Sequence, residues 1–203
     1  MGEGINGIDG KINSFTRRYY LNIAIRGSIL SLSILLAYFL IASLIEYNLW
    51  LGKSGRFLIF ASLFVVVGFS LLRFLKEPIA WWIYKRGLQK EQSARIIGRF
   101  FPDISDKLLN LIQLSSDPNR TALMEAGIAQ KVISVQDIAF DSAIDLKQNK
   151  KYLKYFIIPL LLILSLMIIN QGIFTQSTKR IVRFNQEFSP QAPFQFQLQQ
   201  NNL

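Results

Sequence analysis

The 203 residues are 51% hydrophobic and 18% charged, with 23 basic against 13 acidic side chains, no cysteine and no histidine. That apolar share is high for a soluble chain. Without thiol or imidazole there is no disulfide, no cysteine-ligated metal, no thiolate nucleophile, no Ser-His-Asp triad, no haem histidine and no histidine pH switch.

At the start, Gly2-Glu3-Gly4-Ile5-Asn6-Gly7 has the spacing G-x-G-x-x-G. A dinucleotide site needs a strand before that spacing and a helix behind it. Only one residue precedes it here, so it reads as a flexible start. Ile5, Ile8, Ile12, Phe15 and Tyr19 then recur at steps of three and four, with Asp9, Lys11, Arg17 and Arg18 on the other face. Residues 1–20 are therefore expected to form an amphipathic helix. It is expected to be an interfacial helix lying along the inner leaflet before the chain turns into the bilayer, with packing on the helical domain further along as the alternative.

Three runs have the length of a bilayer crossing. Gly27 to Ile45 holds 19 uncharged residues, Phe57 to Leu72 holds 16 with Phe74 and Leu75 beyond Arg73, and Tyr155 to Thr178 holds 24. A helix of roughly 20 residues spans the hydrocarbon core, and Arg73 can snorkel to the headgroups. Transmembrane helices are expected over 21–46, 57–76 and 155–176, joined by a short outer loop, 47–56. The first is too long for a signal-peptide core and lacks a small-residue cleavage site. Palmitoylation has no cysteine to use.

Between the second and third spans, 77–154 reads as a small helical domain. Pro78 should end the second span. Ala94, Ile97 and Phe101 mark a helix from Gln89, and Pro102 stops it, with Asp103 capping a helix through Leu108, Leu109, Ile112 and Leu114. Asp117-Pro118 should start the next, with Leu123, Ala126, Ala129, Val132 and Ile133 on its apolar side. Asp141 is placed to cap a last helix. So few residues bury only a small core, so the domain is expected to lean on the membrane, a second copy or another protein. Asn119-Arg120-Thr121 has the glycosylation pattern but falls inside this domain.

Past the third span, 177–203 turns polar. Phe194-Gln195-Phe196-Gln197-Leu198-Gln199 alternates as a strand does. One strand is not stable alone, so it either pairs with a partner or opens a larger β-rich domain. The expected fold is thus an α-helical membrane protein with an N-terminal amphipathic helix, three spans, a helical domain between the second and third, and the start of a β-rich region.

Orientation follows the basic residues near the span ends. Twelve lie before the first span, after the second and before the third, against five in the outer loop and after the third. The N-terminus and 77–154 are therefore expected in the cytoplasm and the C-terminus outside. Arg17, Arg18, Trp81, Trp82, Lys85, Arg86, Lys150, Lys151 and Lys154 are the expected lipid headgroup contacts. The same lysines next to a span make nucleic-acid binding the poorer reading, since nucleic-acid sites concentrate charge on a folded face.

Within the spans there is no Asp or Glu, and Glu46 sits at the outer end of the first, so a conduction path built by this chain alone is not expected. Small residues form the packing face: Ala24, Gly27, Ser28, Ser31, Tyr38 and Ala42 on the first span, with Ala61, Val65, Gly68 and Leu72 as a counterpart on the second. These faces meet each other or another subunit. No catalytic, cofactor-binding or metal-binding residue is expected. The expected partners are the bilayer and other membrane subunits or a second copy, with no nucleic acid and no small-molecule substrate identified.

Several phrases resemble the N-terminal region of a family of large, uncharacterised inner-membrane proteins of Gram-negative bacteria, a domain of unknown function. They are Lys11–Arg26, Ala94–Pro102 running into Asp106–Asn110, Ser142–Lys147, and Phe184–Phe188 before Ala192–Phe196. The resemblance implies three N-terminal spans and a much longer periplasmic portion, with no known activity. The role expected is a non-catalytic anchor and scaffold linking a periplasmic portion to a cytoplasmic docking surface. The alternatives are an accessory subunit of a transport or secretion complex, or an enzyme with its chemistry beyond residue 203.

Overall fold

The computed structural model describes residues 2–84, 87–117 and 121–188. All regular structure there is helical, and the alternating segment 194–199 lies outside the described residues. Two compact units are built, one from the residues up to Ser31 with Ser70–Lys154, the other from Leu32–Phe69 with the segment from Tyr155 on.

Helix α1 runs without interruption from Gly2 to Leu49. The G-x-G-x-x-G spacing thus lies in the first turns of a helix, and no turn separates it and the amphipathic stretch from the apolar run. The two placements open for the amphipathic stretch are resolved by packing. Ile8, Ile12 and Phe15 are buried in one core with Ala94 and Ile97 of α4 (Lys90–Phe100) and Leu108, Leu111 and Ile112 of α5 (Ser105–Ser116). Ile128, Val132 and Val135 of α6 (Ala122–Val135) and Phe140 complete it. A face sequestered this way is not available to the leaflet surface. Full burial of each such side chain contributes about 1.5–3 kcal/mol.

Local chemistry sets the boundaries of these helices, and in three places differs from the expected caps. Gln89 and Gln92 form a reciprocal capping box at the start of α4. Pro102 opens a single 3-10 turn, Pro102–Ile104, so α5 begins at Ser105 with no side-chain cap from Asp103. Thr121, whose hydroxyl accepts from the Met124 amide at 3.3 Å, caps α6; Pro118 lies outside the described residues. Asp141 caps nothing, because its carboxylate accepts from Arg18 at 3.1 Å. Asp145 instead accepts from the Lys147 amide at the head of a 3-10 stretch, Leu146–Tyr152. On α6 the buried stripe is 128, 132 and 135, which turns Leu123 and Ile133 outward at 84% and 64% exposure.

The second apolar run is α2 (Lys53–Ser70), a π-helical turn over Leu71–Leu75, and α3 (Lys76–Tyr84). Pro78 does not end it. A proline lacks an amide hydrogen and crowds the carbonyl four residues back; here the wider π turn precedes it and the helix carries on.

In the other unit, α7 (Leu153–Ile169) and α8 (Gly172–Val182) replace the single span expected over 155–176. The break is at Asn170, whose side-chain oxygen accepts from the Gly172 amide at 2.8 Å while its amide donates to the Tyr47 hydroxyl at 2.8 Å. Leu40, Ile163, Ile173 and Phe174 form a small core, with Phe39 stacked on Phe174. Many of the other apolar side chains in this unit point outward, as at Val65 (71% exposed) and Ile168 (87%). Such exposure is unfavourable in water and natural in lipid.

Candidate functional site

The helix-packing face expected on α1 is present in part, against a different face of α2 than expected. Gly27 is buried, and a Cβ built on it would lie 2.5 Å from the Phe74 carbonyl oxygen. Ser31 is buried and its hydroxyl donates to the Ser70 carbonyl at 3.4 Å. The Tyr38 hydroxyl contacts the Ile59 carbonyl and pairs with the Ser62 hydroxyl at 2.7 Å. Ala42 is buried, Ala24 half-buried and Ser28 exposed.

On the second run the facing positions are therefore 59, 62, 70 and 74. Ala61 is only half-buried, a Cβ on Gly68 would meet nothing within 4 Å, and Val65 and Leu72 are exposed. These four positions are not the ones that meet α1. Hydrogen bonding to carbonyls and hydroxyls chose the register, and polar contacts between helices are favoured where water is scarce.

The expected headgroup residues divide as well. Arg17, Trp82, Lys150, Lys151 and Lys154 are exposed. Arg18 is instead engaged with Asp141, and Trp81 is stacked on Tyr20 with ring centroids 5.1 Å apart. Lys85 and Arg86 lie outside the described residues.

The feature that sequence reasoning missed is a buried ionic cluster at the C-terminal end of α1. Glu46 Oε1 accepts from Arg56 Nε at 2.9 Å. Arg180 Nε lies 3.1 Å from the same oxygen as an ion pair, without the alignment of a hydrogen bond. All three side chains are at most 4% exposed. Trp50 ends α1 with a positive φ of 46°, and its ring lies 3.9 Å from the Arg180 guanidinium. Arg56 reaches the Gln186 carbonyl at 3.3 Å and stands 5.0 Å from the Phe188 ring.

Two cations share one carboxylate, so the cluster carries a net positive charge. Burial pulls the Arg180 guanidinium below its ordinary value, and the neighbouring Glu46 carboxylate opposes that shift. The aromatic faces of Trp50 and Phe188 supply further stabilisation to the excess cation. Glu46 Oε2, Arg180 Nη2 and the hydroxyls of Ser43 and Ser177 are buried without a hydrogen-bond partner among the described residues. The sequence held one signal for this site: a lone carboxylate at the edge of an apolar run, with an arginine ten residues on across a short turn.

Chemically, the cluster is a clasp. It joins the end of α1, the start of α2 and α8 through charge. Among the described residues no three carboxylates come together as a metal site would require.

The described residues form an all-helical structure, with three helices long and apolar enough to cross a membrane, over Gly4–Leu49, Lys53–Tyr84 and Phe140–Ile169. No protein-family model, curated protein or solved structure matches the chain.

Proposed function

We propose that this chain is a non-catalytic membrane anchor and scaffold in the bacterial inner membrane, with its N-terminus and the 77–154 domain in the cytoplasm. The observation that carries the reading is α1. One uninterrupted helix supplies Ile8, Ile12 and Phe15 to the core of the helical domain and then continues as the first apolar run. A folded domain built on the membrane helix itself is suited to hold a docking surface at the bilayer. Leu123 and Ile133, turned outward on α6, are the apolar part of that surface. The orientation is supported by the excess of basic residues on one side of the spans.

Membership of the family of large inner-membrane proteins, and a β-rich periplasmic portion following the third span, belong to the same proposal. Both rest on the sequence phrases and the alternation at 194–199.

The test is the chain expressed in a Gram-negative host. It should stay in the membrane pellet through an alkaline carbonate wash. A cysteine placed at position 116 should react with a membrane-impermeant maleimide only after permeabilisation, and one at position 53 should react in intact cells. Labelling at 116 in intact cells would overturn the orientation. A catalytic turnover abolished by substitutions in this chain would overturn the scaffold reading.

A further inference from the structure

Between α1 and the π turn lies a cavity of about 480 Å³. Its walls carry Arg26, Arg73 and Lys76, with Tyr152 and a single carboxylate, Glu77. Gly27 packs against the Phe74 carbonyl beside it, and Ile23, Leu30 and Leu72 provide apolar wall. Among the described residues none of the three cations is in an ion pair, and Arg26 rests 6.0 Å from the Tyr152 ring.

We propose that this cavity binds the phosphate group of an anionic phospholipid headgroup, held by Arg26, Arg73 and Lys76, with an acyl chain against the Leu30 and Leu72 wall. Three observations converge on it. The lining has two more positive than negative charges, and guanidinium groups hold phosphate oxygens through paired hydrogen bonds. The depth is right. Arg26 immediately precedes the uncharged run Gly27–Ile45, and Arg73 immediately follows Phe57–Leu72, so both stand where hydrocarbon gives way to headgroups. The π turn, a device often found at functional sites, is what sets Arg73 and Phe74 at this wall. Polar and apolar walls in one cavity fit an amphiphile better than a free ion.

The proposal rests on the membrane reading above, and its failure is separable from the failure of that reading. The full chain in neutral detergent is titrated with phosphatidylglycerol or phosphatidylcholine in mixed micelles and with inorganic phosphate alone, and retained lipid is counted by native mass spectrometry. Phosphatidylglycerol should be retained in preference to phosphatidylcholine. Arg26→Gln, Arg73→Gln and Lys76→Gln should each weaken it about fivefold, as expected for one basic residue near an anionic surface. Arg26→Lys with Arg73→Lys should bind less tightly than the parent, having lost the paired hydrogen bonds, but more tightly than Arg26→Gln with Arg73→Gln, which would show that charge contributes and that the fold survives. Glu77→Gln should tighten it.

A triple Lys150→Gln, Lys151→Gln, Lys154→Gln variant should bind as the parent does. Equal loss in that variant would overturn the pocket in favour of a diffuse basic field, and weakening by Glu77→Gln would overturn the anionic headgroup. Displacement by millimolar inorganic phosphate would assign the site to free phosphate and overturn the lipid. In all these cases the chain would still resist carbonate extraction; loss of that resistance would instead remove the membrane reading.

Discussion

Gly27 sits so close to the Phe74 carbonyl that a single added carbon would lie 2.5 Å from its oxygen. Phe74 is four residues before Pro78, which has no amide hydrogen to offer that carbonyl. The contact therefore joins a glycine on one helix to a carbonyl that lacks its ordinary helical partner on the other.

Gly27→Ala should destabilise the protein by about 1–3 kcal/mol, through the forced separation of the two helices. The sign is informative. The same change at an open helix position stabilises by about 1 kcal/mol, so Gly68→Ala, with open space around it, should be neutral or stabilising. Thermal unfolding of both variants in detergent measures the difference.

Removing the carboxylate of the ionic cluster should cost more than removing one cation. Glu46→Gln leaves two buried guanidiniums without a counter-charge, an effect of about 3–5 kcal/mol. Arg180→Leu leaves the Glu46–Arg56 pair intact and neutral, and should cost less. The order of unfolding temperatures for the two variants checks this; a more damaging Arg180→Leu would show that Arg180 contributes mainly through its packing on Trp50.

Phe15→Ala should open a cavity in the helical domain and lower its stability by about 3–5 kcal/mol. Hydrogen exchange on the full chain should show faster exchange in α4, α5 and α6, with little change in α7. Unaltered exchange in α4 to α6 would mean that α1 is not part of their core.

Glu187 gives a pH signature. The hydrogen bond and charge of Lys53, 2.9 Å away, hold its carboxyl below its ordinary value. A depressed folded-state value means the contribution is present above the unfolded-state pKa and is lost as pH falls through the folded-state one. Carboxyl chemical shifts should place the Glu187 midpoint below that of an unfolded peptide, and Lys53→Met should return it. Because the pair is exposed, global stability should change little.

The sequence carried the apolar runs openly because crossing a bilayer is a property of consecutive residues. It also carried the amphipathic stripe of residues 5–19, whose period of three and four is local. It misread where some helices begin. Asp103 and Asp141 have the right chemistry for caps, but a proline-led 3-10 turn and the pull of Arg18 took those roles away. On α2, small residues at 61 and 68 suggested one face, while the Tyr38 and Ser31 hydroxyls selected another.

By itself, then, the sequence determined which segments are apolar enough to cross a membrane, how basic residues are shared between their ends, and which reactive groups are missing. Each of these depends only on residue identity and neighbours along the chain. The tertiary structure alone decided that the amphipathic stripe is core, that Gly27 meets Phe74, and that Glu46, Arg56 and Arg180 share one buried site. Those depend on residues up to 134 positions apart, and a charge at the end of an apolar run looks the same in sequence whether it faces water or a partner inside the protein.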